Sequence, residues 1–207
     1  MSTDRYGTVP SKAVRADARR NREAVLETAR RVFAADGVGA PIDEIARRAG
    51  VGAATIYRHF PSKEALFEAV ILDRLLELGT EARVLAAAPD PGAAFFGLLI
   101  RLVEEGAAKR DLADALAGAG VELSPAVVAA ADELQRLLGE LLVRAREGGA
   151  VRPEVGVADV AAVVLGCVAM ERAAAGDGPA GRLSTVLLDG LRGPAAVVGP
   201  AEPEPAG

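Results

Sequence analysis

A chain of 207 residues, 51% apolar and 26% charged, is long enough for one large domain or a small one joined to a medium one. Aromatic residues make up only 3%, so its core is aliphatic, and the lone Cys167 and lone His59 exclude an intrachain disulfide and a Cys/His zinc site. The net charge of −5 hides an asymmetry: residues 1–60 carry 11 basic and 7 acidic side chains, residues 61–207 carry 13 and 22, so a basic front precedes an acidic body.

The N-terminus, MSTDRYGTVPSK, is polar and lacks the apolar stretch of a signal peptide. In the late chain the longest charge-free apolar run, Val160 to Met170, is short of the ~20 residues a membrane span requires. A cytoplasmic protein with no membrane contact is expected.

Apolar residues recur at helical spacing and no alternating run marks a strand. An all-α fold of about nine helices is expected. Residues 1–16 read as a flexible basic arm. The first helix runs from about Asp17 to Asp36, with Leu26, Ala29, Val32 and Phe33 on one face and Gly37 ending it in left-handed backbone. A second spans Pro41 to Ala49, with Pro41 at the first helical position and Ile42, Ile45, Ala46 and Ala49 on one face. After Gly50-Val51-Gly52 comes a short helix, Ala53 to Phe60, stopped by Pro61. Ser62 is the expected N-cap of a fourth, which carries Leu66, Phe67, Val70, Ile71, Leu75 and Leu78 to the mid-80s.

Beyond APDPG at 88–92, helices are expected at about 92–107, 110–118, 124–147, 156–175 and 179–192. Ser124-Pro125 is a cap followed by Pro at the first position. The helix at 156–175 is apolar on almost every side, which predicts burial all round, one side being available for a subunit interface. Residues 193–207, rich in Pro, Gly and Ala, read as a disordered tail.

The chain's rare side chains gather in VGAATIYRHFPSKEAL, residues 51–66. Two short helices joined by a glycine turn, after a longer supporting helix, are the parts of a helix-turn-helix. Ile56 and Phe60 face one way on the second of them, leaving Thr55, Tyr57, Arg58 and His59 outward, with Lys63 at the next helix start. Hydroxyl, imidazole and guanidinium groups on a short helix can meet phosphates and base edges in a major groove.

IDEIARRAGVGAATIYRHFPSKEALFEAV (42–70) resembles the DNA-binding domain of the tetracycline-repressor (TetR) family of bacterial regulators. The resemblance rests on Ile45-Ala46, Ala49-Gly50-Val51, Thr55-Ile56-Tyr57, His59-Phe60 and Ser62 to Leu66, and with the first helix it covers about 20–80. It implies that Thr55, Tyr57, His59 and Lys63 contact DNA, largely at phosphates. Direct base readout would fall on Thr55, Arg58, Arg47 or Arg48 and an arginine of the arm, with Arg19 and Arg22 beside the motif. Three features depart from the family: Ala40-Pro41 lacks a hydroxyl cap, Asp43 would be repelled by phosphate, and Ala53 and Ala54 offer a base no hydrogen bond.

The resemblance further implies a helical-bundle domain that binds a ligand and forms a homodimer through the last two helices. Leu183, Val186, Leu187 and Leu191 make an apolar stripe that suits a four-helix interface. A two-fold dimer would set its recognition helices about 34 Å apart, one turn of DNA. The expected division is an arm at 1–16, a DNA-binding domain at 17–80 with its helix-turn-helix at about 42–61, a regulatory and dimerisation domain at 81–192, and a tail at 193–207.

Phe95, Phe96, Leu112, Leu116 and Cys167 are the candidate ligand-pocket residues. Glu104, Glu105, Lys109 and Arg110 read as a solvated face. No Ser, Cys or acid stands at a recognisable spacing from His59, so no catalytic residue, metal or cofactor is assigned. The expected function is a sequence-specific transcriptional regulator, a repressor released from a double-stranded operator by an unidentified small apolar effector. Two other readings remain: a ligand-binding or enzymatic bundle with a vestigial helix-turn-helix, and a low-specificity architectural DNA binder.

Overall fold

The computed structural model describes residues 12–37, 39–118, 123–173 and 181–194, without the side chains at 12–16, 18–19, 107–118 and 172. Eight helices fall within these residues: α1 (Lys12–Asp36), α2 (Ile42–Ala49), α3 (Ala53–His59), α4 (Lys63–Ala86), α5 (Pro91–Gly118), α6 (Pro125–Glu147), α7 (Val157–Ala173) and α8 (Arg182–Asp189). The only β pairing among them is an isolated antiparallel bridge between Val151 and Arg192.

Several boundaries differ from expectation, and the last helix ends at Asp189 rather than near 192. α1 begins at Lys12, so the last stretch of the expected arm is helical; residues 1–11 lie outside the described residues. Pro41 is the N-cap of α2 rather than its first residue, its backbone extended at φ −72° and ψ 146° and its carbonyl accepting from Glu44 and Ile45. The helices expected at 92–107 and 110–118 are one, because Gly106-Ala-Ala-Lys-Arg contains no proline and a single glycine does not stop a helix. The chain also continues in place past Arg192: the Gly193 N–H donates to the Ala150 carbonyl at 3.0 Å. Residues 195–207 of the expected tail lie outside the described residues.

Two apolar clusters build the molecule. The first joins α1 to α4 through Val25, Val32, Phe33, Ile45, Ile56, Phe60, Leu66 and Phe67, with Phe33 and Phe67 edge to face at 5.6 Å. The second, almost wholly aliphatic, packs α4 through α8 around Phe95, Leu98, Leu99, Leu141, Leu142 and Val160. α4 belongs to both clusters and packs most extensively along α6. Gly106 of α5 lets α7 approach closely; a Cβ there would meet Val168 Cγ2 at 2.6 Å.

Polar groups fix the helix ends and the joint between the clusters. Ser62 Oγ accepts from the Ala65 N–H at 3.1 Å, the cap expected for α4. Arg144 donates to the carbonyls of Ala86 and Ala88, tying the end of α4 to α6. At the other end of α6, the Ser124 backbone N–H donates to the Glu68 carboxylate of α4 at 2.5 Å. Glu171 of α7 accepts from the Gly181 N–H and from the Ser184 N–H and hydroxyl, and these bonds hold its carboxyl below the ordinary value while they cap α8.

A chain of ion pairs crosses between the clusters. Arg30 of α1 lies 3.2 Å from Glu77 of α4; Arg74 reaches Glu77 at 2.7 Å and Glu105 of α5 at 2.5 Å. Glu105, expected on a solvated face, is thus half-buried and engaged by Arg74. Burial opposes the Arg74 charge, but the hydrogen bonds and attraction of Glu77 and Glu105 outweigh it and raise its pKa. Among the described residues no helix is long and apolar enough to cross a membrane.

Candidate nucleic-acid interface

The turn between α2 and α3 follows from its two glycines. Gly50 takes left-handed backbone at φ 69°, and the Val51 N–H folds back to the Ala46 carbonyl at 3.0 Å, closing α2. Gly52 then opens α3 in extended backbone, its carbonyl accepting from the Thr55 N–H at 2.8 Å. α2 is held by buried Ile42, Ile45 and Ala46, and α3 by fully buried Ile56 and by Phe60 just past its end. With seven residues and one inner face, α3 has no way to bury its remaining polar side chains.

Those side chains line the outer face. Tyr57 is 49% exposed, Arg58 is exposed, and Thr55 and His59 are half-buried at its edges. The His59 ring lies tilted against Phe60 with centroids 6.3 Å apart. Lys63 follows at the first position of α4. Arg22 of α1 reaches the same corner, its guanidinium 5.4 Å from the Phe60 ring centroid. Thr55, Tyr57, Arg58, His59, Lys63 and Arg22 thus gather around the end of α3. Arg19 lies in α1, its side chain outside those described.

Arg47 and Arg48 are differently engaged. Arg47 donates from Nε and Nη2 to the Glu44 carboxylate at 2.8 and 2.6 Å. Arg48 donates from Nε to the same carboxylate at 2.6 Å and lies 3.2 Å from Asp36 at the end of α1. The hydrogen bonds from Arg47 and Arg48 hold the Glu44 carboxyl at about 2. Glu44 was not among the residues singled out by sequence, although its spacing of three and four from the two arginines is that of helical ion pairs.

A second feature lies between α4, α5, α6 and α7: an open cleft of about 630 Å³. Leu75, Leu102, Leu134, Leu138, Val157, Val164 and Leu165 contribute to its apolar wall, and Gln135 is its one polar side chain among the described residues. Of the candidate pocket residues, Phe95, Phe96 and Cys167 do not line it. Phe95 is fully buried in the core; Phe96 is 5% exposed and covered by the Arg192 guanidinium at 4.1 Å. Cys167 is fully buried with Sγ toward the Ser184 carbonyl, and burial pushes its thiol up. The side chains of Leu112 and Leu116 lie outside those described. No sequence signal marked the cleft, because its leucines and valines look like core residues.

α7 is not buried all round. Val160, Cys167 and Val168 face the core, while Ala158, Ala161, Ala169 and half-exposed Leu165 face outward. On α8, Leu188 and the following Leu191 turn inward, and Val186 and Leu187 are exposed. The expected stripe therefore divides, with Leu191 in the core and its other members nearer the surface.

Residues 25–70 match the bacterial regulatory proteins of the tetR family, and residues 90–193 match the C-terminal domain of SbtR-like transcriptional regulators. The chain belongs to the TetR family. A TetR regulator of known structure from Mycobacterium vanbaalenii is 45% identical, with 86% of this chain and 99% of that one covered at a TM-score of 0.69. Another from Streptomyces coelicolor is 31% identical, with 84% and 99% covered and the same TM-score. The regulator TtgW of Pseudomonas putida is 40% identical over 60 residues, which span 28% of this chain and 45% of that protein. Two of these likenesses run through both clusters of this TetR-family chain, and the third covers less than half of its relative.

Proposed function

We propose that this TetR-family chain is a sequence-specific DNA-binding repressor that acts as a homodimer. One observation carries the reading: α3 is pinned by Ile56 and Phe60 and presents Thr55, Tyr57, Arg58 and His59 outward, beside Lys63 and Arg22. Hydroxyl and cationic groups on so small a surface suit phosphate contacts, and Arg58 suits a base edge. The outward apolar face of α7, with Val186 and Leu187 of α8, suits a two-fold helix-pair interface.

The effector is a small apolar molecule held in the cleft between α4 and α7. Its volume falls within the range of ligand sites, and the described wall has no ionisable side chain. The effector would release DNA by binding more tightly to a dimer whose recognition helices are wrongly spaced. Selection of bound duplexes from fragmented genomic DNA tests the reading. The expected result is a near-palindromic site bound with a steep salt dependence. A folded dimer that enriches no duplex would end the proposal. Sedimentation of Leu165→Glu and Val186→Glu tests the interface, with monomers expected.

A further inference from the structure

The basic side chains of α2 and α3 are in opposite states. Arg58 on α3 is exposed and forms none of the described ion pairs. Arg47 and Arg48 on α2 are 71% and 41% exposed, yet each has its guanidinium edge on carboxylates. Arg47 offers Glu44 the Nε–Nη2 fork, the same edge that grips a phosphate in bidentate fashion. Arg48 gives Nε to Glu44, and its Nη2 lies 3.2 Å from the Asp36 carboxylate. A phosphate approaching the Nε–Nη2 edge of Arg47, or Nε of Arg48, must displace a carboxylate already hydrogen-bonded there.

We propose that Glu44 is a specificity-determining residue: it holds Arg47 and Arg48 away from DNA phosphates and so suppresses binding to duplexes of any sequence. Phosphate attraction is blind to sequence and dominates non-specific affinity. Two more unpaired arginines beside α3 would raise the affinity for every duplex and leave the discrimination by α3 a smaller part of the whole. Glu44 acts here as an internal substitute for phosphate. The inference rests on the DNA-binding reading above and adds to it the reason why two exposed arginines on the helix-turn-helix do not add to non-specific grip.

The test uses the full chain, a duplex of random sequence and the site recovered by genomic selection, with affinities measured over a salt series by fluorescence anisotropy. Glu44→Gln is expected to tighten random-duplex binding by about tenfold and to steepen the logarithmic salt slope by roughly 0.9 for each further phosphate neutralised. The selected site should tighten less, so the ratio between the two falls. Asp43→Asn removes the same charge from the same turn without releasing an arginine, and should leave the slope unchanged.

Arg47→Ala with Arg48→Ala, placed in the Glu44→Gln background, should cancel the tightening. If the tightening persists without the arginines, only a repulsive charge was removed and the proposal is wrong. It is equally wrong if Glu44→Gln leaves random-duplex affinity and slope unchanged, or weakens the selected site alone. Thermal unfolding checks each variant. Should Glu44→Gln unfold α2, Arg47→Ala with Arg48→Ala in the otherwise wild-type chain decides: unchanged random-duplex affinity and salt slope support the proposal, and a weakening with a shallower slope overturns it. Failure of these variants with the wild type still preferring its selected site leaves the repressor reading intact. A wild type that prefers no duplex defeats both.

Discussion

α3 and α7 expose opposite materials. α3 buries Ile56, leans on Phe60, and leaves hydroxyl, guanidinium and imidazole groups outside. α7 buries Val160, Cys167 and Val168 and leaves alanines and Leu165 outside. Each helix satisfies the core with one face, so what remains on the other face describes the partner. Polar groups on α3 suit a polyanion that brings its own acceptors, and the bare apolar face of α7 suits a surface or molecule that brings none.

The strongest way to break this contrast is to remove the pin of α3. Ile56→Ala should cost about 2–5 kcal/mol of stability in denaturant unfolding and abolish DNA binding, because the outer side chains lose their common platform. Next comes the joint between the halves. Arg74→Ala removes the cation that Glu77 of α4 and Glu105 of α5 share, and a loss of about 1–3 kcal/mol is expected from thermal unfolding, with Glu105→Gln losing less. If Arg74→Ala melts like the wild type, the ion pairs between α4 and α5 are not a structural joint.

Substitutions on the outer faces sharpen the contrast. Tyr57→Phe with Lys63→Ala should weaken DNA binding by roughly tenfold, about 1.4 kcal/mol, with the melting temperature unchanged. Leu165→Glu should leave the stability of the folded subunit within about 0.5 kcal/mol, while sedimentation shows loss of self-association. The smallest effect is expected at Cys167. With burial pushing its thiol up, it should react with a thiol reagent only as fast as the protein opens, and Cys167→Ala should cost about 1 kcal/mol.

How far the sequence could be read depended on whether a residue stood apart from its surroundings. Glycine, proline and Ser62 punctuate residues 37–62 so closely that α2, α3 and the start of α4 were legible within a residue or so. The single α5 was not, since Gly106 and the charges after it looked like a break while the helix ran through them. Tyr57 and His59 stood out by rarity, and Phe95 and Phe96, also aromatic, were pocket candidates. The structure puts the first two at a surface and the second two in the closed core. Scarcity of a side chain type says nothing of direction; the neighbouring apolar spacing does, and around α3 that spacing was clear. Arg74 could have been found, because it stands four residues from Val70 and from Leu78 in an apolar stripe, where a cation needs carboxylates from elsewhere.

The bond from the Ser124 N–H to Glu68 bears on how such proteins diversify. Glu68 lies in the segment that matches the tetR-family regulatory proteins and Ser124 in the segment that matches the SbtR-like C-terminal domain. A chimaera joined between them, between residues 70 and 90, would bring together a carboxylate and a helix start that had not evolved as a pair. The N–H of the residue that caps α6 would then need a new acceptor. Recombination of whole halves between relatives thus meets a compatibility condition at one carboxylate, and chimaeras that keep an acid at position 68 opposite a donor at the head of α6 should fold more readily than those that do not.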